Sequence, residues 1–515
     1  MKKFSRNIQM SVNLISSLVV FVSNMAISFF LAPYIVEHIG VEANGFVQLA
    51  NDFVNYATIL VGIINSMAAR FVTIAVHQGD VKKANVYYTS VFYANLALLA
   101  LFTIPAICII VKLEHIINIP PEIVVDVKWL FIFIFLNFLS GLAVPMWGTS
   151  TYITNTLYIT SLGNTISSIL RVGAIVCMFA FFEPKVWYIG FASFLVMIFI
   201  KVWNYVYKKK LTPELKISKA SFDKAAVKEL MSSGVWNALS SLGVMLLSGL
   251  DLLICNTFVG ATAMGVLTLA KTIPHKLTSL SSTICSVFAP EITINYAKGD
   301  KERLKTDLKQ AMNITGIIMT VPLAILFVFG DSFFKLWVPS QDAVQLQILS
   351  ILTVLSYIFT CGVQVLYNVF TTVNKVKINS IMMILSGAVS TLGVLVCLRF
   401  TDWGIFAIAG VSSVVNIIRN MCYTVPFATK YIGFKWYTFF PQVGKSILSV
   451  VCILIVGYIV KLFMAPATWL TLLVACVIAA VFGFAVNIMI VLTKQERKIL
   501  LGKFMSKLKR KKKSA

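Results

Sequence analysis

Long apolar runs, separated by short polar segments, follow one another along the whole of this sequence. A membrane-spanning helix needs about 20 mostly apolar residues, and fourteen runs meet that requirement. The pattern therefore predicts an all-α polytopic membrane protein with about 14 transmembrane helices. The predicted spans are 12–34, 45–69, 85–111, 129–147, 157–182, 186–207, 232–257, 262–290, 311–330, 344–370, 378–398, 403–428, 443–460 and 467–493.

The composition agrees with this prediction. Of the 515 residues, 58% are apolar and only 12% are charged, whereas a soluble globular chain carries about a quarter charged residues. This contrast excludes a soluble enzyme, a disordered chain and a protein with a single membrane anchor. The nine cysteines all fall in predicted spans and form no C-x-x-C pair, so they are interpreted as packing residues and no metal is expected.

The net charge of +24 first suggests nucleic-acid binding. With the N-terminus inside, however, 33 of the 44 Lys and Arg residues fall in inner segments, 6 in outer segments and 5 within spans. This asymmetry is what the positive-inside rule predicts, so no nucleic-acid partner is expected. The cytoplasmic segments would be the N-terminus 1–11, a basic linker 208–231 and a basic tail 494–515, which would lie on anionic membrane lipids.

An internal repeat organises the spans. Residues 40–80 align without a gap on residues 260–300, with 14 identities over 41 positions. Spans 1–6 then repeat as spans 7–12, which predicts two parallel six-helix lobes, 12–207 and 232–428, around a central cleft. Spans 13 and 14, in 443–493, are an addition. Two such lobes would transport by alternating access.

Charged and polar side chains within the spans are the candidate chemistry. A charge at the bilayer centre costs roughly 2.5–3.5 kcal/mol, so Arg171, Lys271 and Arg419 are expected to line the cleft, where cations favour an anionic substrate and guanidinium groups favour phosphate. Close helix packing is the alternative for the small and polar residues. The polar residues predicted to line the cavity are Asn24, Asn51, Asn55, Asn164, Gln364 and Asn416.

Acidic and titratable residues give a second set of candidates. Asp251 and Lys271 are expected at similar depth on neighbouring helices, where they could form an ion pair. Asp251, His275 and Asp52 are candidates for binding a coupling ion or for such internal pairing. Arg70, Lys276 and Lys375 are placed at the inner mouth. Arg70 and Lys375 could also serve only as topology signals, and the side chain of Lys276 could instead extend to the inner membrane interface.

Three features resemble the polysaccharide-export flippases, the O-antigen-type transporters of the multidrug/oligosaccharidyl-lipid/polysaccharide exporter superfamily. They are the six-plus-six repeat with its Gly40-Val-Glu-Ala-Asn-Gly45 loop, the stretch from Arg70 to Gly79-Asp80, and Asp251 twenty residues before Lys271. The arginine-rich first helix of the peptidoglycan-precursor branch is absent.

The resemblance implies a flippase of the bacterial cytoplasmic membrane rather than an enzyme. It would move an undecaprenyl-pyrophosphate-linked oligosaccharide from the inner to the outer leaflet. Its intramembrane cations, Arg171, Lys271 and Arg419, would bind the pyrophosphate and sugar acids. No cofactor is implied beyond a coupling H+ or Na+, and other polysaccharide-assembly proteins are further candidate partners.

Two alternatives remain at this stage. An ion-coupled multidrug exporter of the same superfamily would need acidic cavity residues, whereas bases outnumber acids here. A membrane enzyme of polysaccharide assembly would need a catalytic constellation, and the longest outer loop, about 112–128, matches no catalytic motif. No G-x-x-x-x-G-K loop is present, which excludes an intrinsic ATPase.

Overall fold

The computed structural model describes residues 6–492 and 497, and the regular secondary structure of these residues is helical throughout. Within these described residues, thirteen helices are long and apolar enough to cross a membrane. They coincide with thirteen of the fourteen predicted spans, which confirms an all-α polytopic membrane protein. Apart from Arg497, the predicted tail 494–515 lies outside the described residues.

The chain divides into two compact units, Met1–Leu269 with Ser380–Ala388, and Ala270–Asn379 with Val389–Ala515. The lobe boundaries predicted from the repeat stay predictions. The helices of unit 1 are α1 (Arg6–Ile39), α2 (Val41–His77), α3 (Val81–Val111), α4 (Leu113–Ile116), α5 (Val124–Leu142), α6 (Thr149–Ile153), α7 (Leu157–Phe181), α8 (Trp187–Leu211), α9 (Lys224–Val244), α10 (Asp251–Phe258) and the start of α11 (Ala261–Ala297).

Unit 2 begins at Ala270, within α11. It also contains most of the later helix α16 (Val376–Phe400), except for Ser380–Ala388, which belong to unit 1. Its further helices are α12 (Lys301–Trp337), α13 (Ala343–Val354), α14 (Tyr357–Thr360), α15 (Tyr367–Thr372), α16 (Val376–Phe400), α17 (Ile405–Arg419), α18 (Val425–Tyr431), α19 (Phe440–Met464) and α20 (Trp469–Val491).

The helix bounds follow the internal repeat. Both α2 and α11 contain 37 residues, and their first residues are 220 positions apart. Each helix is followed by a glycine with positive φ, Gly79 at 79° and Gly299 at 71°, a conformation that glycine adopts without a Cβ clash. Asp80 and Asp300 then cap the next helix by accepting a backbone N–H three residues on, at 2.8 and 3.0 Å. Equivalent residues therefore form equivalent helix ends.

Two glycines related by the repeat pack against each other in unit 1, at the beginnings of α2 and α11. A Cβ on Gly265 would lie 2.4 Å from the carbonyl oxygen of Val41, and a Cβ on Gly45 would lie 3.0 Å from the Cα of Gly265. Small residues let helix backbones approach in this way. The two glycines therefore fix how closely the first turns of these helices pack.

The tenth predicted span, 344–370, is wrong as a single helix. The structure has α13, α14, a 3₁₀ helix Val363–Leu366 and α15 in its place. Gly362 lies at the break, where a Cβ would be 2.7 Å from the carbonyl oxygen of Met312 on α12. Broken helices occur at membrane depth where protein buries the backbone, and the side chains of Cys361 and Val365 are fully buried here.

The seventh and twelfth predicted spans each contain a π-helical turn that periodicity does not predict. In unit 1, Met245–Gly249 separates α9 from α10, and the Tyr56 hydroxyl donates to the carbonyl of Gly249 at 2.7 Å. In unit 2, Asn420–Thr424 separates α17 from α18. π-Turns are frequent at functional sites, and these two adjoin Asp251 and Arg419.

The two additional C-terminal spans, α19 and α20, pack on α12 within unit 2. Lys461 of α19 forms an ion pair with Asp331 at 2.6 Å and also donates to the carbonyl of Val328 at 2.8 Å. Asn487 of α20 is fully buried and donates to the Thr320 hydroxyl at 2.8 Å. These polar contacts fix both helices against the same partner helix.

Candidate substrate cavity

Arg171 lies between two polar cavities inside unit 1. One has a volume of about 240 Å³ and is lined from α5, α7 and α8, while the other, of about 250 Å³, is lined from α2, α5, α7 and α8. Arg171, Asn137 and Ser193 line both. We call the two cavities together the Arg171 site.

The residues around Arg171 come to the site through helix periodicity and packing. On α7, Asn164, Ser167 and Ser168 precede Arg171 by one to two turns and line the same cavity. Ser168 also donates to the Oδ1 atom of Asn24 on α1 at 2.8 Å. Of the polar residues predicted for a cavity, Asn164 therefore lies in the Arg171 site, and Asn24 contacts one of its lining residues.

Asn51 enters the Arg171 site from α2. It lines the second cavity together with Val47, whose carbonyl accepts a hydrogen bond from the Asn51 amide at 2.7 Å. That bond uses one of the two amide protons and leaves the side-chain oxygen available to the cavity. The site thus presents amide, hydroxyl and guanidinium groups between membrane-spanning helices.

The guanidinium group of Arg171 is the only cationic side chain lining either cavity among the described residues. Its Nε atom is buried and has no hydrogen-bond partner within residues 6–492 and 497. An intramembrane charge ordinarily pairs or faces a polar cavity, and a guanidinium presents five N–H donors in a fork that fits a carboxylate or phosphate. The site therefore has the hydrogen-bond donors and the charge that an anion requires.

The remaining predicted residues of unit 1 do not line these two cavities. Asp52 accepts a hydrogen bond from the Gln48 amide at 3.0 Å. Asn55 and Arg70 have exposed side chains. Asp251 is buried at the start of α10, only 4% exposed.

Arg419, in unit 2, belongs to a buried hydrogen-bond network. Its guanidinium donates to the Tyr367 hydroxyl at 2.6 Å and to the Asn416 side-chain oxygen at 2.8 Å. Tyr367 in turn donates to Asn420 at 2.8 Å, and Asn416 donates to the Ser356 hydroxyl at 3.1 Å. The network joins the broken tenth span to the π-turn after α17, so Arg419 and Asn416 have a structural role here whatever else they bind.

The other predicted residues of unit 2 vary in exposure. Lys271 is buried on α11, His275 is exposed and Lys276 is half-buried. Gln364 is half-buried in the 3₁₀ helix. Lys375 is exposed, with its ammonium 6.0 Å from the ring centre of Tyr431. A joint cavity of Arg171, Lys271 and Arg419, and the Asp251–Lys271 pair, stay predictions.

Asn137 and Ser193, which line both cavities of the Arg171 site, are not among the residues predicted from the sequence. Asn137 interrupts the aromatic run of α5, and Ser193 interrupts an apolar run of α8. Each could have been recognised in the sequence, because a single polar residue within a span costs free energy unless a polar group or cavity faces it. Their meeting at Arg171 depends on how three helices pack, which periodicity along one helix does not give.

Two solved transporters share this fold. "Lipid II flippase MurJ, inward closed conformation" matches 92% of this chain and 98% of its own with a TM-score of 0.64 and 14% identity. An inward-facing multidrug resistance MATE family transporter of the MOP superfamily matches 82% and 97%, with a TM-score of 0.61 and 14% identity. Identities this low establish the fold alone. The protein is therefore a multi-pass membrane protein with the fold of MOP-type transporters.

The sequence comparisons then define the family. Residues 11–295, more than half of the chain, match the family described as "Polysaccharide biosynthesis protein", and the chain belongs to that family. It is also 27% identical over 501 residues to "Uncharacterized membrane protein EpsK" of Bacillus subtilis (strain 168), covering 96% of this chain and 98% of the relative. These matches confirm the resemblance to the polysaccharide exporters that the sequence motifs indicated.

Proposed function

We propose that this protein flips a polyprenyl-pyrophosphate-linked oligosaccharide from the inner to the outer leaflet for cell-surface polysaccharide synthesis. The observation that carries the proposal is the guanidinium group of Arg171, which lies between two polar cavities and has a buried Nε atom without a hydrogen-bond partner among the described residues. The Polysaccharide biosynthesis family and the fold shared with a lipid II flippase support it.

Phosphate and sugar are the chemistry that the Arg171 site suits. A guanidinium fork binds phosphate oxygens by two parallel hydrogen bonds, while the amides of Asn51, Asn137 and Asn164 and the serine hydroxyls both donate and accept, as sugar hydroxyls require. The head group would enter the cavities while its apolar chain stays in the bilayer. Opening of the site to one leaflet and then the other would transfer the head without exposing the charge to lipid.

The proposal places the protein in the bacterial cytoplasmic membrane with both termini in the cytoplasm. The excess of Lys and Arg in the predicted inner segments supports this orientation. No catalytic step is proposed, because flipping makes and breaks no covalent bond. Coupling to H+ or Na+ through Asp251 or His275 is a further part of the proposal, and neither residue lines the two cavities around Arg171.

The test is a flipping assay with the purified protein in liposomes. The probe is an undecaprenyl-pyrophosphate-linked disaccharide with a fluorescent sugar, whose outer-leaflet fraction is measured by quenching with dithionite. Arg171→Met removes the fork and keeps an unbranched side chain comparable to the aliphatic stem of arginine, and we expect flipping to fall by about tenfold or more, the effect of losing a hydrogen bond to a charged group. Arg399→Met, at an exposed arginine near the end of α16, is the matched control and should flip normally. Normal flipping by Arg171→Met would refute the assigned role.

A multidrug exporter is the second candidate, supported only by the fold shared with the MATE transporter. A cationic drug would be repelled by Arg171, the cation of the two cavities. The same liposomes loaded with ethidium therefore separate the two functions. Ion-driven ethidium transport without flipping of the lipid-linked sugar would replace our proposal with drug export.

A further inference from the structure

A groove of about 630 Å³ runs between α5 and α8 in unit 1, beside the Arg171 site. Apolar and aromatic side chains form most of its wall, and Lys201 is the one charged group among the described residues that line it. We call this feature the α5–α8 groove. Its principal apolar lining residues are Val144, Trp147, Phe194, Ile198, Val202 and Tyr205.

Lys201 is the unusual feature of this groove. It lies within the apolar part of α8, seven residues before Lys208, the first lysine of the Lys-rich end of that helix. Its ammonium donates a hydrogen bond to the carbonyl of Ser140 on α5. An ammonium has three donors, so this bond still allows contact with an anion. A lysine at this depth is costly in lipid and indicates function by default.

The groove and the Arg171 site adjoin each other along α8. Met197 lines both the groove and the cavity of about 240 Å³, and Ile200, next to Lys201, lines that cavity. An apolar channel with one cation therefore meets a polar cavity with another. The apolar groove, the cations and the polar cavity match, in that order, the apolar chain, the phosphate and the sugar head of a single amphiphile.

The end of the groove has the side chains of a membrane interface. The rings of Trp147 and Tyr205 are 4.9 Å apart between centroids, and the ammonium of Lys209 lies 4.6 Å from the ring centre of Tyr205. Tryptophan and tyrosine concentrate at the level of lipid head groups. This end lies on the predicted inner side, where the lipid-linked substrate would enter.

We propose that the α5–α8 groove binds the polyprenyl chain of the transported lipid, with Lys201 on the phosphate nearest the chain. The inference rests on the proposed function and extends it, since it assigns the apolar chain a site on the protein. The occupant is the substrate chain rather than a resident phospholipid, because only the substrate carries a sugar head for the adjoining polar cavity.

The test measures binding of undecaprenyl monophosphate to the purified full-length protein in detergent. Ile198→Trp fills the groove, and Leu195→Trp is its control on the same helix, because the two residues are 47% and 43% exposed and Leu195 lines neither the groove nor the Arg171 site. Lys201→Met removes the cation. We expect Lys201→Met to weaken binding about tenfold, the effect of losing a hydrogen bond to a charged group. Ile198→Trp should also weaken binding about tenfold because the indole occupies space that the chain needs. Leu195→Trp, an exposed substitution outside the groove, should change it less than about twofold.

Two outcomes would overturn the inference. Wild-type binding by Ile198→Trp and Lys201→Met, each confirmed as folded by its thermal unfolding, would exclude the groove. Equal competition by dioleoyl phosphatidylglycerol would assign the groove to a resident lipid. If these variants bind and flip normally while Arg171→Met does not flip, the groove is refuted and the proposed function stands. If the wild type binds undecaprenyl monophosphate in the groove yet flips nothing, the proposed function fails instead.

Discussion

The contact between the first turns of α2 and α11 makes a prediction whose size follows from the structure. In Gly265→Ala the new Cβ would lie 2.4 Å from the carbonyl oxygen of Val41, whereas ordinary contact begins at 3.4 Å. The backbones must therefore separate by about 1 Å, and overpacking of this kind costs about 1–3 kcal/mol. In Gly45→Ala the nearest backbone atom is at 3.0 Å, so we expect a smaller loss.

Gly62→Ala is the internal control, because a Cβ at this position of α2 meets nothing within 4 Å. Alanine in a helix interior is favoured over glycine by about 0.5–1 kcal/mol, so this variant should be as stable as the wild type or more stable. Thermal unfolding in detergent, followed by circular dichroism, should rank Gly265→Ala below Gly45→Ala and both below Gly62→Ala. Equal unfolding temperatures for Gly265→Ala and Gly62→Ala would refute the close packing.

Two further predictions concern polar contacts. Tyr367→Phe removes the hydrogen bond that the hydroxyl donates to Asn420 and the one that it accepts from Arg419. It should therefore lower the free energy of unfolding by about 1–3 kcal/mol. Denaturation in detergent unchanged from the wild type would contradict the network. The Lys128 ammonium, 2.9 Å from Glu114, holds the pKa of that carboxyl below its usual value. The ion pair is therefore fully present above the ordinary pKa of glutamate, and it is lost as the pH falls through the lowered pKa of Glu114. The exchange protection of α4, taken relative to the intrinsic amide exchange rate at each pH, should therefore fall in acid. Glu114→Gln should remove this pH dependence; an identical acid response in that variant would assign it to another group.

The helices were largely predictable from the sequence because each apolar run long enough to cross a bilayer has few alternatives to a helix. The internal repeat was also predictable from the sequence, because it preserves residues with equivalent structural roles. Gly79 and Gly299, for example, both adopt a positive φ just after a helix end. The broken tenth span was not predicted. Its residues are apolar enough for a span, and only the approach of Gly362 to α12 shows why the helix breaks there.

The candidate site was predictable in part, because a charged side chain within the membrane has a high free-energy cost. Arg171 was identified because an arginine in an apolar span demands a polar environment. Asn137 and Ser193 lie on other helices than Arg171, so only packing shows that they share its cavities. Lys201 is one of the five basic residues within the predicted spans, but the apolar groove around it consists of residues that look like ordinary lipid-facing positions.

The measurement that tests the central claim most directly is the leaflet distribution of the lipid-linked oligosaccharide in living cells. Cells whose only copy of the protein carries Arg171→Met should accumulate this lipid on the inner leaflet and lose the surface polysaccharide, while cells with Arg399→Met should do neither. The lipid can be counted by extraction and mass spectrometry after labelling of the outer leaflet by an impermeant, sugar-directed reagent. A wild-type outer-leaflet fraction in the Arg171→Met cells, with the variant present in the membrane at normal amount, would contradict the account.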